Sequence, residues 1–339
     1  VIDLRSDLLS LPTEEMWAAM RSADLGWATY GEDASVELLE ERAADLLGQE
    51  RAVWVPTCGM ANLVALLVLA ERGQRAVVEA AAHLLTSEGM AISEIAGLEP
   101  VPVWAPDGRL DPARVEEALV EEHAALLALE NTHTRAGGTV LSVERTRELV
   151  ATARRHGARV HLDGARLPNA AAALGVEPRA LAGGVDSVAM SLNKGLGAPF
   201  GCVLAGSREL VARARVRLHQ LGGATVHRAG IAAAAALVGL ERFPNGLLED
   251  HRRARLLGER LASIEGLRLD PAVVETNIVL VDVTGAGWEP APFVAELAKR
   301  GVRALERDGS RVRFVTHRLI GDAEIEDVVS AVADLLGAA

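Results

Sequence analysis

The chain has 339 residues, half of them hydrophobic, with 35 basic against 47 acidic side chains and a formal net charge of −12. This composition supports a large packed core and excludes disorder as the dominant state. An acidic chain without a basic stripe also excludes a phosphate-tracking surface, so no nucleic-acid partner is expected.

Aromatics make up only 3% of the chain, so Ala, Leu, Val and Gly must supply the core. The two cysteines, Cys58 and Cys202, are far apart and form neither a disulfide framework nor a CxxC site. A reducing, cytoplasmic location is the expectation, and no metal ligand is assigned. The N-terminal VIDLRSDLLS carries charge where a signal sequence needs an apolar run. The richest apolar stretch, ANLVALLVLA (61–70), is too short to span a bilayer, so no membrane partner is expected.

Short apolar runs alternate with amphipathic ones along the chain. Strands are expected at AVWVP (52–56), AVVEA (76–80), ALLALE (125–130), ARVHLD (158–163), DSVAMSL (186–192) and GCVLAG (201–206). Helices fall between them at 36–48, 61–73, 112–123 and 143–157, with an Ala-rich helix at 229–243. Such alternation predicts an α/β fold with a mostly parallel sheet wrapped by helices. The APFG turn before GCVLAG is too short for a crossover, so that strand is expected to run antiparallel. Beyond the FPNG breaker, helices at 250–264, 291–301 and 322–337 and strands at 276–283 and 311–317 predict a smaller C-terminal α/β unit. The expected division is an arm at 1–12, a large domain at 13–243 and a small domain at 244–339.

In open α/β sheets, ligands bind outside the carboxyl ends of the strands. AVWVP ends at Thr57, Cys58 and Gly59, a strand–turn–helix that offers backbone N–H groups to one phosphate. It is neither a Walker loop nor a GxGxxG fingerprint. AVVEA is followed by His83 and then Glu88, ALLALE runs into Glu130-Asn131-Thr132-His133, ARVHLD ends at Asp163 and DSVAMSL leads to Lys194. A lysine in a partly apolar site becomes an imine-forming nucleophile. A carboxylate on the neighbouring strand can hold a pyridinium ring cationic. The alternatives are a solvated lysine and a helix-capping aspartate. The glycines and small residues of SLNKGLGAPFG are expected to leave clearance for a flat ring.

These pieces resemble the L-threonine aldolase family, also labelled the β-eliminating lyase/threonine aldolase group. The resemblance is carried in order by VIDLRSD, TYGEDASV (29–36), HLLTSEGMA (83–91), LENTHTRAGGTVLS (129–142), HLDGARLPNA (161–170) and DSVAMSLNKGLGAPFG (186–201). It implies the aspartate aminotransferase-like fold (fold type I) with pyridoxal 5′-phosphate. It also implies a homotetramer built from dimers, with active sites at dimer interfaces. By position, Lys194 is then the lysine that bonds the cofactor, Asp163 its pyridinium partner and His83 the ring stacked on it. Thr57, Cys58 and Gly59 match the phosphate turn. Arg166, Ser6 and Arg313 match contacts to the substrate carboxylate, with Tyr30 among the substrate-binding residues. His133 and Glu88 match residues near the substrate β-hydroxyl.

The chain departs from the family pattern in three places. Thr57-Cys58-Gly59 stands where TGT or SGT is frequent. GGATVHRAG (222–230) stands where GGGMRQAG is common, so the phosphate arginine falls on His227 or, shifted by one, on Arg228, which its charge favours. Asn193 replaces a common Ser. The expected activity is cleavage of L-threonine or L-allo-threonine to glycine and acetaldehyde, with His83, His133 or a water held by Glu88 as base. The alternatives are β-elimination or a phenylserine-type aldolase on the same scaffold and, in another class, a non-catalytic α/β binding protein.

Overall fold

A computed structural model describes residues 1–337. The chain opens with strand β1 (Ile2–Asp3) and helices α1 (Glu14–Arg21) and α2 (Ala34–Leu47), which begin where Thr13 and Asp33 side chains accept backbone N–H bonds from Met16 and Val36. Such caps satisfy donors that the first helical turn leaves orphaned. Strand β2 (Arg51–Val55) leads into α3 (Cys58–Leu69), and β3 (Arg75–Glu79) leads into the single-turn helices α4 (His83–Thr86) and α5 (Ala91–Glu94). Strand β4 (Glu99–Val103), α6 (Pro112–Glu121), β5 (Leu126–Glu130) and α7 (Val143–Arg155) follow. Next come β6 (Arg159–Asp163), α8 (Leu167–Leu174), α9 (Pro178–Leu181) and β7 (Ser187–Ser191). Strand β8 (Cys202–Gly206), α10 (Arg208–Gln220) and α11 (Ala229–Arg242) complete this part of the chain.

Strands β2 to β8 form a seven-stranded sheet in the order β2-β8-β7-β6-β5-β3-β4. Strands β4, β3, β5, β6 and β7 are mutually parallel, and β8 is antiparallel to both of its neighbours, as the short APFG turn predicts. Both faces are covered, as a parallel sheet requires. Leu127, Leu162 and Val188 pack with residues of α2, α7, α8 and α11, while Val55, Ala189 and Leu204 pack with α3 and α10.

The remaining elements are α12 (Asn245–Ala262), β9 (Ile278–Asp282), α13 (Pro290–Lys299), β10 (Val302–Arg303), β11 (Leu305–Glu306), β12 (Arg311–Val315) and α14 (Asp322–Gly337). Strands β11, β12 and β9 make a three-stranded antiparallel sheet with its own core around Leu257, Phe293, Phe314 and Val328. Strand β1 pairs in parallel with β10, and the Val315 N–H donates to the Leu4 carbonyl, so the N-terminal residues lie on this second unit. Boundaries after residues 12 and 243 remain our proposal. The last two residues of the span 244–339 lie outside the described residues.

The structure corrects several boundaries. Helix α3 runs from Cys58 to Leu69, starting ahead of the expected 61 because Thr57 caps it. Helix α12 begins at Asn245, directly after Pro244, where 250 was expected. Strand β4 and helices α1 and α10 were not anticipated. The prolines of EPVPV fit β4 because it is the edge strand.

Candidate active site

The carboxyl ends of β2, β3, β5, β6 and β7 carry the chemistry. Asp163 closes β6 and is 2% exposed. Its Oδ1 accepts the Ala165 N–H at 3.0 Å, and its Oδ2 accepts from Asn62 Nδ2 at 2.9 Å. The same Asn62 amide donates to Glu88 Oε1 at 2.8 Å, and that oxygen also meets His83 Nδ1 at 2.9 Å. His83 begins α4, where its backbone N–H donates to Glu130 Oε2. The Glu88 hydrogen bond raises the pKa of His83 against the opposing effect of burial. Burial raises that of Glu88. Behind Asn62, Oδ1 lies 3.0 Å from His161 Nε2, and His161 Nδ1 lies 2.8 Å from Ser187 Oγ.

Lys194 lies three residues beyond the end of β7, the strand that pairs in parallel with β6, so Lys194 and Asp163 lie at or just beyond the ends of adjacent parallel strands. The lysine is half-buried, and its ammonium group has no hydrogen bond or ion pair among the described residues. Asp7 and Cys202 are close enough to interact with its charge. The glycines around it do not leave clearance for a ring, as the sequence had suggested. A Cβ on Gly195 would lie 2.4 Å from Leu247 Cδ2, one on Gly197 2.5 Å from Arg318 Nη1, and one on Gly201 2.6 Å from Trp54 Nε1. Gly197 and Gly201 also adopt φ values of +81° and +114°. These residues are small because neighbouring side chains occupy the space. Nothing in the structure explains Asn193.

A second polar group surrounds Asp7, which is fully buried. Arg166 Nε and Nη2 each donate to its carboxylate at 2.8 Å, Arg166 Nη1 donates to Thr134 Oγ1, and Asn277 Nδ2 adds a bond at 3.2 Å. Burial would raise the Asp7 pKa, but Arg166 and its hydrogen bonds hold it far below the usual carboxylate range. The Nε–Nη2 edge of Arg166 is therefore already committed within the chain. Arg313 Nη2 donates to the Arg5 carbonyl, while Arg313 Nε is buried without an acceptor among the described residues. Burial, reinforced by Arg166, lowers the Arg313 pKa to about 10. Ser6 accepts the Leu8 N–H and caps the short turn that carries Asp7.

His133 is 2% exposed, and both of its ring nitrogens are engaged. The Ala136 N–H donates to Nδ1 at 3.2 Å, so Nε2 carries the proton that meets Glu79 Oε2 at 2.8 Å.

Thr57 Oγ1 accepts the Met60 N–H, leaving the Cys58 and Gly59 N–H groups at the start of α3 without acceptors among the described residues. Beside this turn sits the 222–228 loop, where a Cβ on Gly223 would lie 2.5 Å from Met60 Sδ. His227 and Arg228 on that loop are exposed. His227 meets Trp27 edge-on at 6.0 Å, and Trp27 in turn meets Tyr30, which is 68% exposed.

Pyridoxal 5′-phosphate fits these residues. A lysine and a buried carboxylate lie at or just beyond the ends of adjacent parallel strands with no ion pair on either among the described residues, and free N–H groups lie at a helix start. Among the described residues, His83, Glu88 and Asp163 are the only His, Cys, Asp and Glu ligand atoms grouped closely enough, within 4.8 Å, to take a metal cation. The same anionic cluster suits a protonated ring nitrogen. Sequence reasoning missed Asn62, His161, Asp7 and Ser187. Asn62 was hidden as the one polar residue in the ANLVALLVLA run.

The family model for beta-eliminating lyases matches residues 3–285. A low-specificity L-threonine aldolase of Arabidopsis thaliana is 36% identical over 97% of this chain and 94% of its own length. The low specificity L-threonine aldolase of Escherichia coli K12 is 36% identical over 97% and 98%. The structure of Leishmania major threonine aldolase superposes with a TM-score of 0.83 at 21% identity, covering 99% of this chain and all of that one, and it shares the fold.

Proposed function

The chain belongs to the beta-eliminating lyase family, and from that premise we propose that it is a pyridoxal 5′-phosphate-dependent aldolase. Its substrates are L-threonine, L-allo-threonine and related β-hydroxy-α-amino acids, which it cleaves to glycine and an aldehyde. The observation that carries this reading is that Lys194, whose ammonium has no partner among the described residues, and the buried Asp163, which has no ion pair among them, lie at or just beyond the ends of adjacent parallel strands.

Lys194 would bond the cofactor, Asp163 would face its ring nitrogen, His83 would stack on the ring, and Cys58, Gly59 and Arg228 would take the phosphate. When bound, the cofactor supplies an electron sink for the pair released on Cα–Cβ cleavage. The chain supplies the rest. Arg313 offers the substrate carboxylate a buried N–H that has no acceptor among the described residues. Asp7 anchors Arg166, whose remaining N–H donors lie on its Nη1–Nη2 side. The β-hydroxyl proton passes to the His83–Glu88 pair, directly or through one water, because His133 has both ring nitrogens engaged. Glu88 Oε1 accepts a hydrogen bond from His83 Nδ1–H, which leaves Nε2 as the basic atom.

The protein works as a homotetramer in the cytoplasm. Exposed Trp27, Tyr30, His227 and Arg228 beside the phosphate turn support contact with a second copy there. Among the described residues, no single helix is long and apolar enough to cross a membrane.

The test is an assay of purified protein with pyridoxal 5′-phosphate. Glycine and acetaldehyde in equal amounts from threonine are expected. Pyruvate and ammonia from serine without aldehyde release would instead assign β-elimination. Failure to take up cofactor would overturn both.

A further inference from the structure

The buried relay behind Asp163 carries no assigned role. Resting on the cofactor reading above, we propose that Asn62 is a positioning residue for the reaction. Its single carboxamide, oriented from behind by His161 and Ser187, holds the Asp163 and Glu88 carboxylates at the ring end of the site.

Hydrogen-bond chemistry fixes the direction of every link. Glu88 Oε1 receives both Asn62 Nδ2 and His83 Nδ1, and Asp163 Oδ2 receives the other Asn62 Nδ2 hydrogen, so both carboxylate oxygens are acceptors. Asn62 Oδ1 therefore points at His161 and needs a donor. His161 Nε2 must carry the proton, and His161 Nδ1 must accept from the Ser187 hydroxyl. The relay runs Ser187 to His161 to Asn62 to the two carboxylates, without a charged donor. Asn62, His161 and Ser187 are all 0% exposed. Burial lowers the His161 pKa to about 4, consistent with a neutral ring.

The chemistry explains why position 62 is an amide. Asp163 and Glu88 lie close enough to repel each other. A lysine or arginine would satisfy both but would neutralise the field that a ring cation needs. An aspartate would add a third negative charge. A neutral group with two N–H donors stabilises both carboxylates and leaves their charge available. Buried in an apolar helix, such a group is tolerated only when its own hydrogen bonds are met.

The first test needs no cofactor. In apo-protein labelled with 15N-histidine, His161 should show a protonated Nε2 and a bare Nδ1, unchanged from about pH 5.5 to 8.5, roughly one unit below to two units above the ordinary histidine pKa. A ring that titrates in that range, or carries its proton on Nδ1, would overturn the proposal whatever the fate of the cofactor reading.

The second test measures cofactor affinity in folded variants. Gln at 161 can present an N–H where Nε2 stood, so His161→Gln should stay within about threefold of wild type. His161→Leu should weaken binding about tenfold, as expected for an unsatisfied buried oxygen. Asn62→Asp should weaken binding more than Asn62→Ala and shift the absorbance maximum of the bound cofactor. Equal effects of Gln and Leu at 161, or of Asp and Ala at 62, would reduce the relay to packing and refute the proposal. Absence of cofactor binding in wild type would sink the functional reading alone, with the labelled-histidine experiment still deciding the relay.

Discussion

Around Asp163 the relay from Ser187 to Glu88 finds its partners inside the chain, whereas the 222–228 loop beside the start of α3 holds His227 and Arg228 out in solvent. The ring end of the site is thus assembled by folding alone. The phosphate end presents donors that gain partners only on binding. This contrast predicts different consequences when each end is damaged. Changes at the ring end should alter chemistry or stability in every state. Changes at the phosphate end should appear mainly as cofactor affinity.

The largest effect is expected at the ring end. Lys194→Ala should lower kcat by about a thousandfold or more, as loss of a covalent nucleophile does. It should also abolish the absorbance band of lysine-bound cofactor. An unchanged band would break the assignment. Asp163→Asn keeps the shape and removes the charge. It should retain cofactor yet cut kcat by about a hundred- to a thousandfold, in the range of other preorganised electrostatic contributions. Near-normal turnover would refute its role and with it the contrast between the two ends.

Asp7, in the second polar group around Arg166, tests whether an arrangement assembled by folding also carries stability. Asp7→Asn leaves Arg166 buried without its counter-ion, which should destabilise the fold by about 3 to 5 kcal/mol in urea denaturation. The pH dependence has a definite sign. The folded Asp7 pKa is depressed, so its stabilisation is complete above the unfolded carboxylate value of about 4 and is lost as pH falls below it. The variant should lose that part of the acid sensitivity. Equal acid slopes in the two proteins would show that the ion pair adds no stability.

At the phosphate end, Arg228→Ala should weaken cofactor binding about tenfold, the cost of one charge-assisted hydrogen bond. Melting of the apo-protein should not change. His227→Ala should do much less, because its ring already packs edge-on against Trp27. The reverse order would transfer the phosphate contact to His227.

Much of the fold was legible because strand ends in an α/β sheet announce themselves. Apolar runs stopping at Thr57, Asp163 and Lys194 gave the topology and pointed to the candidate site, and the short turn before β8 gave its direction. What escaped was tertiary in origin. Strand β4 was hidden by its prolines, which only an edge position tolerates. Helix α10 was hidden by frequent arginines that dilute its apolar face. Asn62 and His161 lay in segments whose periodicity marked only burial, and a buried polar residue declares its purpose only through partners distant in sequence. The glycines near Lys194 were misread for the same reason, since Leu247, Arg318 and Trp54 reach them from elsewhere in the chain.

The smallest effect, at Thr57, sharpens the comparison most finely because this residue serves both ends of the argument. Its Oγ1 accepts the Met60 N–H and so caps α3, while its hydroxyl hydrogen remains available to a phosphate oxygen. Thr57→Ala removes both, and the apo-protein should lose about 1 kcal/mol from the missing cap. Thr57→Asp restores the cap acceptor but places a negative charge where an anion must bind. The aspartate variant should therefore match wild type in apo-stability and bind pyridoxal 5′-phosphate more weakly than the alanine variant. If both variants bound the cofactor like wild type, the start of α3 would be only a capped helix, and the phosphate would have to rest on the 222–228 loop alone.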